Sequence, residues 1–511
     1  MKVQKKVGGI LRDRLFIGGV LLLAQLILMI VLINTLSGRW SPVYQSFIIL
    51  SIIMVIWLVR KHDNPAYKIA WIIVILIFPL FGGIFYLFWG NTPFNRARKM
   101  HQMEPLHAES FNGAPIEPVT AQADRLLPRH VRHIRYIERT CTAPLWRNTQ
   151  SEYFPSGEAQ FASMKIELEK AERFIFLEYF ILEEGEMWNT ILDILVRKAQ
   201  QGVDVRVLYD DAGSISKLPR KYDAYLKSLG LRVVRFNPFV PTLNTYLNNR
   251  DHRKICVIDG NVGYMGGINL ADEYINKVVR FGYWKDTAVL LRGQAVANMT
   301  AMFLQLWNFT ADEHDTSLAP YLPTLSADSD GYIQPFGDSP LDEENAGEIA
   351  YMQIINNAQR YVYITTPYLV IDNEMMIALC TAAKSGIDVR IITPGIPDKP
   401  AVYAVTRSYY QQLIEAGVRI YEYRPGFVHA KMFVSDDDVA VVGTINMDFR
   451  SFFLHFECGA VFYEGTMPTK VRTDIEHMFE ESREIDLEWC HRMPWPVSIA
   501  SSILRVFAPL L

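Results

Sequence analysis

Long apolar runs are confined to the first ninety residues, whereas the rest of the chain alternates short apolar and polar stretches. Three runs can be distinguished, at residues 15–33, 47–59 and 69–89. At about 1.5 Å of rise per residue, the first is long enough to cross the roughly 30 Å hydrocarbon layer of a bilayer. The second reaches that length if Tyr44 and Gln45 lie at the membrane interface. The pattern therefore predicts a membrane segment over residues 1–100 with two or three transmembrane helices.

The third run contains residues that interrupt a helix near its middle. Pro79 is followed by Gly82 and Gly83, and Trp71 and Trp89 stand near the two ends of the run. Aromatic rings of this kind are enriched at the headgroup level of membranes, while proline and glycine are the usual causes of helix kinks. This run is therefore predicted to be either a kinked transmembrane helix or a re-entrant hairpin.

Beyond about residue 130, short runs rich in Val, Ile, Phe and Tyr alternate with stretches of helical periodicity. One example is the helical stretch 188–198, which is followed by Gly202 and by the strand-like VDVRVLYD starting at Val203. Strand, helix, glycine turn and strand in succession are typical of α/β domains. The pattern predicts α/β units with a mainly parallel sheet.

Four sequence blocks of the first half recur in the same order in the second half. The paired blocks start at Ala171 and Ala358, Ala199 and Ala382, Leu229 and Ala416, and Asp251 and Val428. A repeat this long is not a solenoid unit, because each copy is large enough to bury its own core. The sequence predicts two copies of one domain, over residues 130–325 and 326–511, with the acidic, Pro-containing stretch 326–344 as the linker.

The last pair of blocks carries the same polar residues in an apolar context. They are His252, Lys254, Asp259, Gly266, Gly267 and Asn269 in the first copy, and His429, Lys431, Asp436, Gly443, Thr444 and Asn446 in the second. Side chains two positions apart on a strand point to the same face. Each copy is therefore predicted to project one histidine and one lysine together.

This set of residue types suits displacement at a phosphodiester. Negative charge grows on the nonbridging oxygens when a nucleophile attacks phosphorus, and lysine and asparagine donors can stabilise it. Histidine, with an ordinary pKa near 6.5, can act as a neutral nucleophile or as a protonated acid. Two histidines are needed because one attacks phosphorus while the other protonates the departing alkoxide.

The pattern HxK, four residues and Asp, then Gly-Gly or Gly-Thr and Asn, resembles the phospholipase D superfamily, in which two such motifs meet across a pseudo-twofold interface. Within it, the chain is similar to bacterial cardiolipin synthases in PAYKIAWIIVILIFPLFGGIFYLFWG, LEYFI, DDAGS, DHRK, GYWKD, TTPYL and the closing APLL. The resemblance implies an α/β fold with two phospholipase D-like α/β/α domains, preceded by transmembrane helices. It also implies a multi-pass enzyme of the bacterial cell membrane that converts two phosphatidylglycerol molecules into cardiolipin and glycerol.

The resemblance further assigns roles to single residues. It implies that His252 is the nucleophile, forming a phosphatidyl-histidine, and that His429 is the acid and later the base. An imidazole also needs a partner that holds its useful tautomer. Asp286 in GYWKD and Glu457 in HFECG, each downstream of the motif histidine of its own copy, are predicted to orient the histidines.

The remaining motif residues are assigned in the same way. Asn269 and Asn446 are predicted to bind the substrate phosphate. Asp259 and Asp436 belong to the family's catalytic motif, although their place in the turn after the strand favours a structural task, bracing the neighbouring loops. Because the lysines can neutralise the phosphate charge, neither a metal nor another cofactor is predicted.

Charge and cysteine content limit the kinds of binding partner that the sequence indicates. The chain has 51 basic and 55 acidic residues and five scattered cysteines without CxxC spacing, so neither a nucleic-acid partner nor a zinc site is indicated. The expected partners are membrane phospholipids and the bilayer itself. Two alternatives to the synthase stay open, namely a membrane-bound phospholipase D that releases phosphatidic acid and an inactive membrane scaffold. Oligomeric state is not indicated.

Overall fold

The structure is a computed structural model that describes residues 42–79, 82–90, 118–238, 249–313, 317–328, 331–342, 344–492 and 495–510. The first apolar run, at residues 15–33, lies outside these ranges. Within them, no helix combines the length and the apolar content needed to cross a membrane. The transmembrane helices therefore stay a prediction.

Two helices dominate the described N-terminal part, α1 (Pro42–Val59) and α2 (Pro65–Ile77). The Asn64 side chain accepts a hydrogen bond from the Ala66 N–H at 2.9 Å, and Pro65 occupies the first turn, so α2 begins with a favourable cap. After α2 the chain continues into the short helix α3 (Gly82–Phe85) and a π-helical turn (Tyr86–Gly90).

The apolar run at residues 69–89 turns back on itself. Ring centroids of Trp71 and Tyr86 are 5.4 Å apart, a distance that a continuous helix could not give for residues so far apart in sequence. The Ser51 hydroxyl donates to the Pro79 carbonyl at 2.9 Å and so joins α1 to the turn. A Cβ atom at Gly82 would lie 2.5 Å from the Val74 carbonyl oxygen, so only glycine permits this return. The geometry is that of the hairpin alternative, not of a kinked span.

The rest of the described chain is an α/β structure. Its helices are α4 (Ala123–Leu126), α5 (Val131–Cys141), α6 (Gly157–Glu169), α7 (Glu186–Gln200), α8 (Asp211–Ser214), α9 (Tyr222–Ser228), α10 (Val296–Ala311), α11 (Ala346–Asn357), α12 (Asn373–Lys384), α13 (Pro400–Glu415), α14 (Phe449–Phe453), α15 (Met467–Glu480), α16 (Leu487–His491) and α17 (Trp495–Val506). Short 3₁₀ turns occur at Thr120–Gln122, Asp272–Ile275, Ala319–Tyr321 and Ala508–Leu510.

The strands fall into two large sheets and two small ones. They are β1 (Thr149–Phe154), β2 (Phe174–Tyr179), β3 (Asp204–Asp210), β4 (Arg232–Phe236), β5 (Arg250–Asp251), β6 (Lys254–Ile258), β7 (Val262–Gly266), β8 (Tyr283–Lys285), β9 (Ala288–Gly293), β10 (Tyr332–Asp338), β11 (Tyr361–Thr365), β12 (Leu369–Val370), β13 (Asp388–Pro394), β14 (Arg419–Tyr423), β15 (Gly426–Val428), β16 (Met432–Ser435), β17 (Val439–Gly443), β18 (Met447–Asp448), β19 (His455–Tyr463) and β20 (Ser482–Ile485).

The two large sheets have the same topology, which is the structural expression of the sequence duplication. The first has the order β1-β9-β7-β6-β2-β3-β4, and the second has the matching order β10-β19-β17-β16-β11-β13-β14, with β20 at its edge. The expected mainly parallel sheet is wrong in detail. Along the strand order given, β2-β3-β4 and β11-β13-β14 run parallel and the other neighbours are antiparallel. The motif strands cause this, because each turns tightly after its last residue into an antiparallel hairpin partner. The short strand β5 joins the second sheet beside this order and runs parallel to β19.

A shared apolar core joins the two halves. One cluster of buried side chains includes Phe176 of the first sheet and Val434 of the second, together with Phe303 of α10 and Val471 of α15. Helices α10 and α15 each contact strands of both sheets. Burial of apolar surface stabilises by roughly 25 cal/mol per Å², so this layer holds the two sheets in a fixed relation. The outer faces carry separate clusters under α6 and α7 and under α11 to α13.

Candidate active site

The first motif histidine is delivered by a short strand that pairs with the other half of the chain. Strand β5 runs parallel to the start of β19, with Arg250 opposite His455. His252, the first residue after β5, donates its backbone N–H to the Phe456 carbonyl at 2.9 Å. The backbone of His252 is therefore fixed against the strand that contains Glu457.

The second motif histidine is held by an equivalent pairing between the two halves. Strand β15 runs parallel to β8, and His429 donates its backbone N–H to the Lys285 carbonyl at 2.7 Å. The strands approach so closely that a Cβ atom at Gly426 would lie 2.2 Å from the Tyr283 carbonyl oxygen. Glycine at this position is what allows β15 to reach β8, which leads directly into Asp286.

Each histidine is bonded to the acid of the opposite half. The Nδ1 atom of His252 lies 2.9 Å from a carboxylate oxygen of Glu457, and that of His429 lies 2.6 Å from a carboxylate oxygen of Asp286. All four side chains are buried. With Nδ1 carrying the proton shared with the carboxylate, Nε2 is the free nitrogen of each ring. The two acids thus lie against the histidines as predicted, but the pairing is crossed between the halves.

The motif lysines lie directly under the histidines. Lys254 Nζ donates to the His252 carbonyl at 2.5 Å, and Lys431 Nζ donates to the His429 carbonyl. Burial is the main cause that lowers the lysine pKa values, to about 8 for Lys254 and about 7 for Lys431. Two buried cations of this kind are suited to meeting an anionic ligand, which would restore their usual basicity.

Both histidines open into one cavity of about 750 Å³. Aromatic rings surround the two imidazoles, with Phe180 at 5.1 Å from His252 and Trp284 at 5.4 Å from His429 between ring centroids. Tyr368 also lines the cavity. The walls are largely apolar, with charged side chains of both signs among them, including Arg250, Lys399 and Asp398. Such a mixed lining is compatible with an amphiphilic ligand.

Both predicted phosphate-binding asparagines lie in this cavity wall. Asn269 accepts a hydrogen bond from the Ile181 N–H at 2.9 Å and donates to the Tyr274 hydroxyl at 2.7 Å, so its amide is held by protein on both sides. Asn446 is buried, and within the described part of the chain its Oδ1 atom has no hydrogen-bond partner. The unused atom of Asn446 is an acceptor, which suits a ligand hydroxyl and not a phosphate oxygen.

The structure places the Asp259 and Asp436 carboxylates on backbone N–H groups of the strands that follow in the sheet and not on the histidines. Asp436 accepts hydrogen bonds from the backbone N–H groups of Gln359, Arg360 and Tyr361 at 2.8, 2.8 and 3.0 Å. Asp259 does the same for the three residues that lead into β2, between 2.7 and 2.9 Å. Each carboxylate lies in the turn at the end of its motif strand, where it caps the first residues of the neighbouring strand.

We expect Asp436→Ala to lower stability without a matching loss of chemistry. The substitution leaves three backbone N–H groups without their acceptor, which costs about 2–4 kcal/mol of unfolding free energy. The catalytic rate per folded molecule should stay within about threefold of wild type. Denaturant unfolding and rate measurements on the same preparation check both parts, with the exposed Asp193→Ala on α7 as control. A loss of rate comparable to that of a histidine variant would place Asp436 in the catalytic set.

Sequence reasoning missed His455. Its buried ring lies 5.5 Å from that of His252 between centroids, and its Nδ1 atom lies 3.5 Å from Glu457. Arg450 contacts its other nitrogen at 3.4 Å. The available signal was the spacing, since His455 and Glu457 stand two apart on β19 and so share a face. Among the described residues, His252, His455 and Glu457 also have the spacing of a metal-ligand group, and a metal-free mechanism stays a prediction.

The two histidine–acid pairs differ electrostatically. Burial raises the pKa of Glu457 well above its ordinary value, although the charge of Lys254 acts in the opposite direction. Burial would also raise the pKa of Asp286, but the charge and hydrogen bond of His429, with the charge of Lys431, outweigh it and hold that pKa below its usual value. The pKa values of the two acids are therefore shifted in opposite directions, and the ionised form is favoured at Asp286 and disfavoured at Glu457.

The pKa values of the two histidines are both lowered, but their acid partners differ. Burial, then the charge of Lys254, lowers the pKa of His252 well below its ordinary value. Burial and Lys431 lower the pKa of His429 to about 4, although Asp286 acts in the opposite direction. His252 is therefore a neutral imidazole with a free Nε2 lone pair, while His429 has an anionic partner that can support a protonated ring once an anion neutralises the lysines.

Comparison with known proteins agrees with this geometry. The family model described as "Cardiolipin synthase, PLD-like domain" matches residues 164–307 and 351–480, and the one described as "Phospholipase_D-nuclease N-terminal" matches residues 49–91. A cardiolipin synthase of Geobacillus kaustophilus is 38% identical over 88% of this chain and 90% of its own, and cardiolipin synthase 2 of Bacillus cereus is 36% identical over 89% of each.

Among solved structures, phosphatidylserine synthase of Haemophilus influenzae has the same fold. It superposes with a TM-score of 0.56 at 16% identity, over 74% of this chain and 97% of its own. With two family matches at the duplicated blocks and relatives along most of its length, the chain belongs to the cardiolipin synthase family of phospholipase D-like proteins.

Proposed function

We propose that this protein is a cardiolipin synthase, a phosphatidyltransferase that converts two phosphatidylglycerol molecules into cardiolipin and glycerol. The observation that carries the proposal is the meeting of both motif histidines in one cavity, each on an acid of the opposite half and each with a buried lysine bonded to its backbone carbonyl. Two free imidazole nitrogens beside one anion site are what a two-step displacement at phosphorus requires.

In the first half-reaction, Nε2 of His252 attacks the phosphorus of one phosphatidylglycerol. The bond between phosphorus and the glycerol headgroup oxygen breaks, and His429 gives its Nε2 proton to that oxygen, so glycerol leaves. Lys254 and Lys431 offset the charge that grows on the nonbridging oxygens. The products of this step are free glycerol, a phosphatidyl-His252 intermediate and a neutral His429.

In the second half-reaction, the terminal hydroxyl of another phosphatidylglycerol replaces water as the attacking group. His429 takes the hydroxyl proton, the oxygen bonds to phosphorus, and the bond to His252 breaks. Cardiolipin is released with both histidines back in their starting protonation states. The ionised Asp286 supports this assignment because it stabilises the imidazolium that His429 must become in each cycle.

The proposal includes a cellular setting. The N-terminal family match and the names of the relatives support a membrane-associated protein, and we place it in the bacterial cell membrane with a multi-pass segment over residues 1–100. The two catalytic domains are assigned to residues 130–325 and 326–511. Membrane phospholipids are the substrates and the bilayer is the partner surface.

Product analysis from labelled phosphatidylglycerol tests the function. With label in both the phosphate and the headgroup glycerol, we expect labelled cardiolipin and one free glycerol per cardiolipin formed. Phosphatidic acid without cardiolipin would instead establish the hydrolytic phospholipase D. An absence of any turnover by the folded, membrane-reconstituted protein would favour the inactive scaffold.

The reaction should also weaken at alkaline pH through substrate binding. Lys431 and Lys254, with pKa values of about 7 and about 8, lose their protons as pH rises, so the free enzyme loses its cations. We expect kcat/KM for phosphatidylglycerol to fall from about pH 7 upward, and more steeply above about pH 8, while kcat falls less, because the bound phosphodiester restores the lysine charge. Steady-state rates on vesicles across pH check this, with thermal unfolding at each pH as control. A fall in kcat with constant KM would contradict it.

A further inference from the structure

The last helix, α17, turns large apolar side chains outward and a serine inward, the opposite of a surface helix in water. Trp495, Ile499, Ile503 and Val506, which follow one another at spacings of one helical turn, are 74%, 52%, 56% and 40% exposed, whereas Ser501 is 1% exposed. A surface helix of a water-soluble protein normally turns such residues inward. A contiguous outward apolar stripe therefore indicates a partner that is itself apolar.

The inner face of α17 is fixed to the catalytic part by polar contacts. Arg505 lies over the ring of Tyr409 at 4.0 Å and donates to the Ser408 carbonyl at 3.3 Å. The Ser501 hydroxyl donates to the Val497 carbonyl at 2.8 Å and so needs no external partner. The orientation of the helix is thus set by its polar side, and the apolar side is left facing outward.

This stripe continues onto the N-terminal helices. Helix α17 packs against α2, and the following turn, Ala508–Leu510, does so as well. On α2, Ile69, Leu76 and Ile77 are exposed. Helix α2 is itself tied to the catalytic part, because the Asn64 amide donates to the Asp372 carboxylate at 3.0 Å. Helices α2 and α17 therefore present one apolar surface.

The same surface adjoins the catalytic cavity. Ala508, in the turn between α17 and the chain end, lines that cavity together with the apolar residues Val370, Val402, Val405 and Phe449. Only this terminal turn separates the cavity lining from the helices with outward apolar faces. An acyl chain entering from that side would meet apolar contacts up to the histidines.

We propose that α17 lies in the interfacial layer of the bilayer as a second membrane contact, which with α2 sets the apolar wall of the cavity against the lipid. Trp495 at its start has the amphipathic ring that favours the headgroup level. The continuity with α1 and α2, whose exposed side chains include many isoleucine, leucine, valine and tryptophan residues, favours lipid over a protein partner. The delivery of substrate through this wall rests on the proposed function, whereas the membrane contact does not.

Fluorescence quenching tests the contact without reference to activity. The full chain and its Trp495→Phe variant are reconstituted into phosphatidylcholine–phosphatidylglycerol vesicles with or without brominated acyl chains. The difference between the two proteins isolates the emission of Trp495, and we expect bromine near the headgroup end of the chains to quench it by about half or more. Emission of Trp495 that is unchanged by brominated lipid would overturn the proposal, whether water or another segment of the chain covers the helix.

Charge insertion tests the consequence for turnover. We expect Ile499→Glu/Ile503→Glu to lower the rate on vesicles by about tenfold, since two carboxylates oppose insertion at an anionic surface. The rate on monomeric short-chain phosphatidylglycerol should stay unchanged. Asn189→Glu/Gln200→Glu, which adds the same charges on the exposed face of α7, is the control and should leave both rates unchanged. Equal losses on both substrates, or none on either, would overturn the delivery role, and the quenching result would still decide the contact.

Discussion

Alanine at His252 should lower turnover of phosphatidylglycerol by a factor of at least about 10⁴ and abolish the covalent intermediate. The neutral imidazole with its free Nε2 is the one nucleophile that the proposed mechanism uses. Without it, no group in the proposed mechanism attacks phosphorus. Trapping labelled lipid on the denatured protein measures the intermediate directly. His491→Ala, at an exposed position on α16, is the matched control and should behave as wild type.

Alanine at His429 should give a similar loss with phosphatidylglycerol but a different pattern with an activated substrate. A phosphatidyl ester of p-nitrophenol has a leaving group that departs without a proton, so the first half-reaction no longer needs the acid. We expect the His429→Ala protein to release nitrophenol in a single burst and to keep the lipid on His252. The His252→Ala protein should release none. The opposite pattern would exchange the roles of the two histidines.

The sequence predicts most of what each half contains, because the relevant signals are local. The two-residue repeat of strands predicts that Arg253 points away from His252 and Lys254. His252 and Arg253 lie between β5 and β6, and the Arg253 guanidinium lies 2.6 Å from the buried Glu178. The duplicated order of blocks corresponds to the identical order of strands in the two sheets. These features depend on neighbours in sequence, which a periodic pattern reports directly.

What the sequence does not reveal is how the halves meet. Strands β5 and β15 have two and three residues, too short for any periodic signal, yet they carry the histidines across the interface. Asp286 and Glu457 follow the histidine of their own copy in sequence, so nothing local indicates that each serves the other copy. The pairing depends on which strand edges lie together in space, and that is set by the shared core of α10 and α15.

The two halves have nearly the same fold, but the acids Glu457 and Asp286 differ in their surroundings. Glu457 accepts a hydrogen bond from the Thr444 hydroxyl at 2.5 Å, whereas the residue matching Thr444 in the first copy is Gly267. A Cβ atom at Gly267 would lie 2.1 Å from an Asp286 carboxylate oxygen, so glycine there leaves room for the ionised acid. The Thr444 hydrogen bond lowers the pKa of Glu457, so the raised pKa of this carboxyl is due to its burial, whereas the pKa of Asp286 is lowered by His429 and Lys431.

This asymmetry predicts unequal effects for the two acids. Asp286→Asn should lower kcat by about 10³ or more, because the amide removes the charge that supports the His429 imidazolium. Glu457→Gln should cost only about tenfold, because glutamine has the shape of the protonated carboxyl that the raised pKa already favours. The crossed pairing of acids and histidines also predicts which acid affects the nitrophenol burst. Asp286→Asn, in the first half, should keep the burst as His429→Ala does, and Glu457→Gln should slow the burst. If Asp286→Asn instead lost the burst as His252→Ala does, each acid would serve its own half and the crossed arrangement would not describe the working enzyme.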